Sequence, residues 1–523
     1  MNKALKLPIR RHGIRPLARR GALAAAFVLI GVSPAFASQD DRRAESLFGG
    51  DCSNLSLLPS APSPCEWLAQ VPAETVPASP KSAPRASNSP KPRTKHFFTA
   101  AAEIALLEAG PWAFDRYVSN EGFARISLHT VNQNLKTGFV FDRDHFNINQ
   151  SSHPYHGSLF FEAGRSNGYS YWESGLFAMA GSAIWECCME VDPPSVNDLV
   201  NTTLGGMTRG EISHRLSIMI LDNTAHGGSR FLREVAAAIV NPVGELSRIA
   251  HGDASREYAN PDERFPAAFS VSTDLGYRHI DGAVAKPNQG TISLSALYGD
   301  PFAGDRNKPF DTFWVGADVN APGGTSFSRI EERGLLRGWE MTDPDAPVRH
   351  IFGFAQEYEY LNNEAQVFGA QIFSAGVISK YRLGKLAAAT DVAILAIPLA
   401  GIKTTDFENS ATGRNYDYGS GGGLRAEARL YGGAREILSA GYGIAWARTI
   451  NGLSDGSTLQ FFRATVRAPI VGALGVGGSY SWFSRKTTYP GFFESQKTQN
   501  EWRAFVNFAF GSSRRTGAGG EKQ

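Results

Sequence analysis

Long apolar runs are scarce in this 523-residue chain, although 42% of its residues are hydrophobic. After residue 37, no stretch reaches the roughly eighteen uninterrupted apolar residues that a membrane-spanning helix needs. The sequence therefore excludes a helical membrane protein, and its length and apolar content also exclude a disordered chain. The remaining possibilities are a globular protein with a large core and a single barrel with a second unit attached.

An excess of positive charge is also missing, since Lys and Arg number 52 and Asp and Glu number 50, a formal net charge of +2. Residues 1–37 hold seven of the positive charges, an apolar stretch from Gly21 to Val32, and the small-residue sequence Ala35-Phe36-Ala37. This is the pattern of a secretory signal peptide that is removed after export. Without it the net charge becomes −5. We therefore expect no nucleic-acid partner, because phosphate neutralisation needs a basic surface.

Cysteine is rare, with four residues in the chain. Cys52 and Cys65 are the disulfide candidate, because an exported protein reaches an oxidising compartment. Cys187 and Cys188 are adjacent, and neighbouring residues rarely form a disulfide. We predict these two to be small buried hydrophobic side chains on a helix.

Motifs that identify an enzyme family are missing as well. The sequence contains no HExxH, GxSxG, P-loop or CxxC pattern, each of which places reactive groups at a fixed spacing. The sequence therefore predicts no cofactor and no metal site by motif.

The hydrophobic period divides the chain into segments. Residues 38–95 are rich in Pro, Ser and Ala, as in an extended linker. Residues 96–260 show helical periodicity and are interpreted as a helical plug or periplasmic cap domain. Residues 265–511 alternate apolar and polar side chains with period two, and residues 512–523 form a hydrophilic tail.

The alternating segment predicts about twelve strands of roughly ten to fourteen residues, a length suited to tilted membrane crossings. Short and long connections alternate, as in an outer-membrane barrel. The predicted fold class is thus α+β: a signal peptide and linker, a mainly helical domain, then a C-terminal transmembrane antiparallel β-barrel. A secreted β-sandwich is the alternative, but aromatic residues near the strand ends favour the barrel. The strands are predicted near 267–280, 290–300, 309–319, 327–341, 350–361, 366–380, 385–398, 415–431, 435–449, 457–469, 473–486 and 499–511.

One face of these strands carries charge of both signs, which must be paired or hydrated in a lumen. A network that braces the wall and a selective pore lining both fit this pattern. The charges of the fourth strand, from Arg329 to Arg337, suggest that part of it projects above the bilayer. The predicted lumen-lining residues are Asp274, Arg278, Asp318, Glu357, Glu359, Arg425, Glu427, Arg429, Arg463, Arg467 and Arg503.

A second polar group lies in the helical segment. Two carboxylates four residues apart share a helix face, and with nearby histidines they could bind a metal or act as acid and base. Helix caps and salt bridges also explain such residues, and we favour that interpretation. We expect Glu186 or Glu190 to pair with Arg165, Arg209 or Arg215, or to accept hydrogen bonds from His153 or backbone amides. The group comprises His153, His156, Glu186, Glu190, Ser195, Asp198 and Glu211.

The order of motifs in this segment resembles a bacterial family, the domain of unknown function numbered 3943. The resemblance covers about residues 100–260 and extends more loosely to residues 298–302. It implies an envelope protein and implies no reaction or ligand. The residues that carry it are Asp142, Asn147, His153-Pro154, Gly157, Trp185-Glu186, Glu190, Pro194-Ser195, Asp198-Leu199, Gly210-Glu211 and Asn241-Pro242.

These observations predict an outer-membrane β-barrel protein with a structural or a channel or transport role, its helical domain on the periplasmic side. Its partners would be outer-membrane lipid and, for a channel, a small solute in the lumen. The alternative is a barrel enzyme acting on lipid A or phospholipid. That alternative requires His153, His156 and Ser195 to converge beside an opening.

Overall fold

The computed structural model describes residues 94–282, 287–321, 327–405, 412–433, 435–491 and 494–513. The predicted signal peptide, most of the linker, the Cys52 and Cys65 pair and the end of the tail lie outside these residues. The described part contains a helical region followed by one sheet, in the predicted order.

The helices occupy residues 97–250, and π-helical turns connect or extend several of them. Side-chain caps fix where some of them begin. Ser170 caps one helix together with Glu173, and the Ser195 hydroxyl accepts a hydrogen bond from the Asp198 amide at 3.2 Å, as its sequence position predicts. The helices are α1 (Phe97–Phe114), α2 (Leu128–Thr137), α3 (His153–Ser166), α4 (Tyr171–Ile184), α5 (Val196–Val200), α6 (Gly206–Ile220), α7 (Gly227–Val240) and α8 (Pro242–Ala250).

Helices α3 and α6 pack closely because glycine lines their crossing. A Cβ atom on Gly206 would overlap the backbone of Gly157, and one on Gly210 would lie 2.6 Å from the Phe161 ring. Phe160, Phe161 and Leu216 are fully buried around this crossing. A Cβ atom on Gly157 would also overlap the Thr202 carbonyl, so this glycine lets the turn after α5 approach α3.

Twelve antiparallel strands close into a barrel, each paired with its neighbours in sequence and β12 paired with β1. The predicted strand number and barrel are therefore confirmed. The strands are β1 (Ala268–Ile280), β2 (Asn288–Tyr298), β3 (Phe313–Ala321), β4 (Arg329–Glu340), β5 (Val348–Asn362), β6 (Val367–Leu383), β7 (Leu386–Lys403), β8 (Tyr416–Gly432), β9 (Arg435–Asn451), β10 (Gly456–Val471), β11 (Leu474–Thr488) and β12 (Ser495–Ser513).

The start of β4 belongs to the barrel wall, and its extension above the bilayer stays a prediction. Arg329 and Glu331 line the lumen, and Arg333 contacts the carboxylates of Glu357, Asp391 and Glu427. The charge density that suggested a projecting segment is neutralised instead by acids on other strands.

The helical region packs against the outer face of the barrel wall. On β5, Glu359 lines the lumen, so the alternating side chains of Gln356 and Tyr358 point outward. Gln356 accepts a hydrogen bond from the Tyr171 hydroxyl at 2.7 Å, and the Tyr358 hydroxyl donates to the Gln150 carbonyl. Helices thus contact the wall from outside rather than plugging the lumen, and the periplasmic cap stays a prediction.

The outer wall away from the helices is apolar and exposed. Eight of its outward side chains on β8 to β12 are between 40% and 57% exposed, and aromatic rings occur among them. These residues are Leu424, Leu438, Tyr442, Trp446, Val466, Val476, Trp502 and Val506. In the described part of the chain, no helix combines the length and apolar character needed to cross a membrane.

Candidate functional site

Three side chains from separate segments of the helical region converge on one point. His153 begins α3, Glu186 lies in the π-helical turn Trp185–Met189 after α4, and Asp198 lies in α5. One donor atom from each lies within 4.8 Å of the others. The His153 and Asp198 side chains are 14% and 5% exposed, with 3.4 Å between His153 Nε2 and Asp198 Oδ1. The point is therefore almost closed to solvent.

Local hydrogen bonds orient each of these three groups. The Ser195 amide donates to Glu186 Oε2 at 2.7 Å. The Asn197 side chain donates to Asp198 Oδ1 at 2.9 Å, and the Thr202 hydroxyl lies 3.2 Å from His153 Nδ1. The imidazole Nε2 consequently points toward the two carboxylates.

Burial dominates the electrostatics of the point. It raises the pKa of Glu186 to about 8 and lowers the pKa of His153 to about 4. Burial, followed by the charges of Asp142 and Glu186, raises the pKa of Asp198 well above its usual range. Burial thus favours the neutral form of the imidazole and of both carboxyl groups, and a cation beside the carboxyl groups would favour their charged form instead.

Glu108 of α1 lies close enough to Glu186 for their charges to interact, and the sequence analysis did not identify it. It is 4% exposed, and neither of its carboxylate oxygens has a hydrogen-bond partner. Burial and then the charge of Glu186 raise its pKa to about 8. An acidic residue in an Ala-rich helix was the signal in the sequence that could have identified Glu108. It is far in sequence from His153, Glu186 and Asp198, and no spacing pattern connects it with them.

His156 and Glu190 lie beside the point and are not among its three donors. The His156 ring packs against Phe160 and Trp185, and its Nε2 lies 3.4 Å from the Leu107 carbonyl oxygen. Burial lowers the pKa of His156 to about 4. Burial and then the charge of Glu186 raise the pKa of the half-buried Glu190 well above its usual range.

The predicted arginine partners contact other acids. Arg165 and Arg215 both bind Glu211, at 2.6 and 2.8 Å, and Arg209 binds Glu332 at 3.0 Å. The prediction that one of these arginines pairs with Glu186 or Glu190 is therefore wrong, because all three form ion pairs with Glu211 or Glu332 instead. The other expected partner, a backbone amide, is confirmed at Glu186. Glu211 belongs to this separate ion-pair group.

The arrangement lacks the pairing that a serine nucleophile requires. Among the described residues, Ser195 makes no hydrogen bond to His153 or His156, and its hydroxyl caps α5. A hydroxyl activated by a base should lie within hydrogen-bond reach of that base. The geometry thus gives no support to serine chemistry at this point.

Cys187 and Cys188 form a disulfide with each other. The prediction of two separate buried hydrophobic side chains is therefore wrong. Both residues lie in the same π-helical turn as Glu186 and are half-buried. The sequence predicted a regular helix for this segment. Because the segment is a π-helical turn, the regular helix face on which the two cysteines were expected to pack is not formed.

The lumen contains the second polar group. A cavity of about 200 Å³ is lined by side chains from all twelve strands. Ion pairs connect strands that are not adjacent but three positions apart in the barrel: Arg503 of β12 contacts Asp318 of β3 at 2.9 Å, and Arg467 of β10 contacts Asp274 of β1 at 2.8 Å. Of the predicted lining residues, those that border the cavity are Asp274, Glu359, Arg425, Glu427, Arg429, Arg463, Arg467 and Arg503.

The remaining predicted lining residues belong to the same ionic network. Asp318 is also bound by Arg329 at 3.0 Å. Glu357 is bound by Arg425 at 2.6 Å, and Arg278 by Glu501 at 2.7 Å. The interior is thus crossed by paired charges rather than lined with free charges of one sign.

Comparison with known proteins places a family match on the helical region. Residues 138–243 match the model described as "Domain of unknown function (DUF3943)". The match includes His153, Glu186 and Asp198, and it confirms the family resemblance over those residues. No curated protein sequence matches the chain.

Solved structures with similarity to the chain include several barrels. The NanC porin structure is 10% identical with a TM-score of 0.25, covering 45% of this chain and 98% of the porin. OmpT of Vibrio cholerae is 10% identical with a TM-score of 0.22, covering 47% of this chain and 98% of OmpT. OccK8 (OprE) of Pseudomonas aeruginosa is 11% identical with a TM-score of 0.18, covering 47% of this chain and 98% of that protein.

Proposed function

We propose that this protein is an outer-membrane anchor, a barrel that conducts no solute and holds the helical region against its outer wall. The observation that carries the proposal is the set of ion pairs that cross the lumen. A barrel of this size lies between small barrels filled by side chains and the larger aqueous porins. Here ion pairs between arginines and carboxylates cross the interior and leave a cavity of about 200 Å³.

The outer surface supports the membrane location. A closed barrel leaves no unpaired strand edge, as a lipid environment demands. The exposed apolar and aromatic side chains from Leu424 to Val506 on β8 to β12 are those that a lipid-facing wall presents. In this interpretation the barrel spans the outer membrane, and the helical region is anchored there because it packs against the barrel.

A conduction experiment tests the proposal. The full-length protein, extracted from the outer-membrane fraction in detergent, should migrate differently on electrophoresis with and without heating, as closed barrels do. Added to a planar bilayer in concentrated KCl, it should give no unitary conductance steps. Discrete steps from the wild-type protein would refute the non-conducting barrel, and a soluble pool without a heat-dependent shift would refute the membrane location.

A further inference from the structure

The convergence of His153, Glu186 and Asp198 has the chemistry of a metal site. One imidazole nitrogen and two carboxylate oxygens are donors that Zn²⁺ accepts in proteins, at about 2.0–2.2 Å. Two donors on one such ion therefore lie within about 4.2 Å of each other. The three donor atoms already lie within 4.8 Å, so small rotations of the side chains would complete the geometry.

The charge around these donors points independently to a missing cation. Glu108 is more than nine-tenths buried, lies close enough to Glu186 for their charges to interact, and has no hydrogen-bond partner on either oxygen. Among the residues that the structure describes, no lysine or arginine forms an ion pair with Glu108, Glu186 or Asp198. Isolated buried carboxylates are costly, and metal coordination is one of the ways proteins satisfy them.

We propose that His153, Glu186 and Asp198 bind one divalent transition-metal ion, with Zn²⁺ as the best-fitting ion, and that Glu108 lies in its outer shell. The hydrogen bonds from Thr202 to the His153 ring and from the Ser195 amide to Glu186 are the orienting contacts that metal ligands commonly receive. The Asn197 amide orients Asp198 in the same way.

The position of the ion gives it a structural role. It would connect the start of α3, the π-helical turn that carries Glu186, and α5, which are separate in sequence. The ligands are almost fully buried, as in closed structural zinc sites. The site is independent of whether the barrel conducts, because none of its ligands lies on a strand.

The test is zinc binding by full-length protein in detergent, first stripped with a chelator and then dialysed against micromolar Zn²⁺. Wild-type protein should retain about one Zn²⁺ per chain by elemental analysis, and added Zn²⁺ should raise the melting temperature of its helices. H153Q and E186Q should retain no stoichiometric zinc and lose that stabilisation. Co²⁺ should give visible absorption bands in the wild type that are lost in both variants.

The matched control is E162Q, which replaces a carboxyl group that is also buried in the helical region, on α3, but lies outside the donor set. It should retain zinc. Folded wild-type protein that binds neither Zn²⁺ nor Co²⁺ would overturn the proposal, as would equal zinc retention in H153Q, E186Q and the wild type. If E186Q fails to fold, the Co²⁺ spectrum of the wild type and of H153Q decides the question.

Discussion

At the scale of single residues, the helical region carries several carboxyl groups that are buried without a cation. Glu162 is an example away from the proposed metal ligands. It is 1% exposed, and its Oε2 has no hydrogen-bond partner. Burial raises its pKa well above the usual value, despite a hydrogen bond with Ser213. The folded protein therefore holds this proton more tightly than the unfolded chain does.

The sign of the resulting pH dependence follows from linkage. The stabilisation by the bound proton is complete below the unfolded pKa of about 4.5 and is lost as the pH rises toward the higher folded value. E162Q keeps the shape and removes the titration. The free energy of unfolding of E162Q relative to wild type should thus increase with pH, by at most about 1.4 kcal/mol per pH unit. Thermal melts by tryptophan fluorescence between about pH 5 and about pH 8 measure it.

Glu173 is the control for this pH series. It is exposed, and hydrogen bonds from Lys95 and Ser170 lower its pKa to about 2, so it titrates in the opposite direction and at lower pH. E173Q should show no gain toward alkaline pH. Parallel behaviour of E162Q and E173Q would contradict the buried-proton explanation.

Residue identity alone could not locate these groups. The sequence singled out His153, Glu186 and Asp198 by type and order, and the structure brings them together. It could not include Glu108, because nothing local links α1 to the turn after α4. The pairing of Cys187 with Cys188 was also missed, since a helical pattern gives no sign of a π-helical turn.

At the scale of elements, the contact between α6 and β4 depends on one buried ion pair. Arg209 and Glu332 are 5% and 2% exposed, and 3.0 Å separates their nearest charged atoms. The Arg209 guanidinium also lies over the Tyr358 ring at 5.2 Å. Removing one partner of a buried pair leaves an uncompensated charge, at a cost of about 3–5 kcal/mol.

We therefore expect E332Q to loosen the helical region from the wall, with a loss of stability of about 3–5 kcal/mol. The double variant R209M/E332Q should recover part of that loss, because no unpaired charge remains. Limited proteolysis of the helices, with the heat-dependent mobility of the barrel as an internal reference, provides the measurement. K95A, which breaks the exposed Lys95–Glu173 pair, should change the stability by about 1 kcal/mol or less. An effect of E332Q no larger than that of K95A would argue against this contact.

The strands were more predictable than the helix positions. A period of two over long segments indicates a strand and identifies its two faces, so strand number and closure follow from local pattern. The same pattern cannot tell what covers each face. Glu332, Gln356 and Gln371 are polar residues on a face that would otherwise meet lipid, and the helical region covers them. Polar residues on that face were the signal in the sequence that something other than lipid covers it.

At the scale of the whole molecule, charged side chains from distant parts of the wall narrow the lumen. Arg463 of β10 reaches toward Asp318 of β3, with 3.9 Å between charged atoms, and both it and Arg467 border the cavity. Removing these two long side chains would enlarge the cavity along the barrel axis.

R463A/R467A should therefore conduct in planar bilayers where the wild type does not, and its conductance should favour cations because Asp274, Asp318 and Glu436 lose partners. R448A is the matched control, since Arg448 is exposed on the neighbouring strand β9. It should remain silent. Equal conductance of the three proteins would contradict the role assigned to these arginines.

The covered part of the wall also determines an order of events in assembly. The helices precede β1 in the chain and leave the ribosome first, yet their docking surface exists only once β2 to β8 have paired. Until then, Glu332, Gln356 and Gln371 have no helical cover, and a polar group facing hydrocarbon costs several kcal/mol. Strand pairing, helix docking and entry into the bilayer must therefore be completed together. We therefore expect no free-standing barrel of this sequence to accumulate as an intermediate.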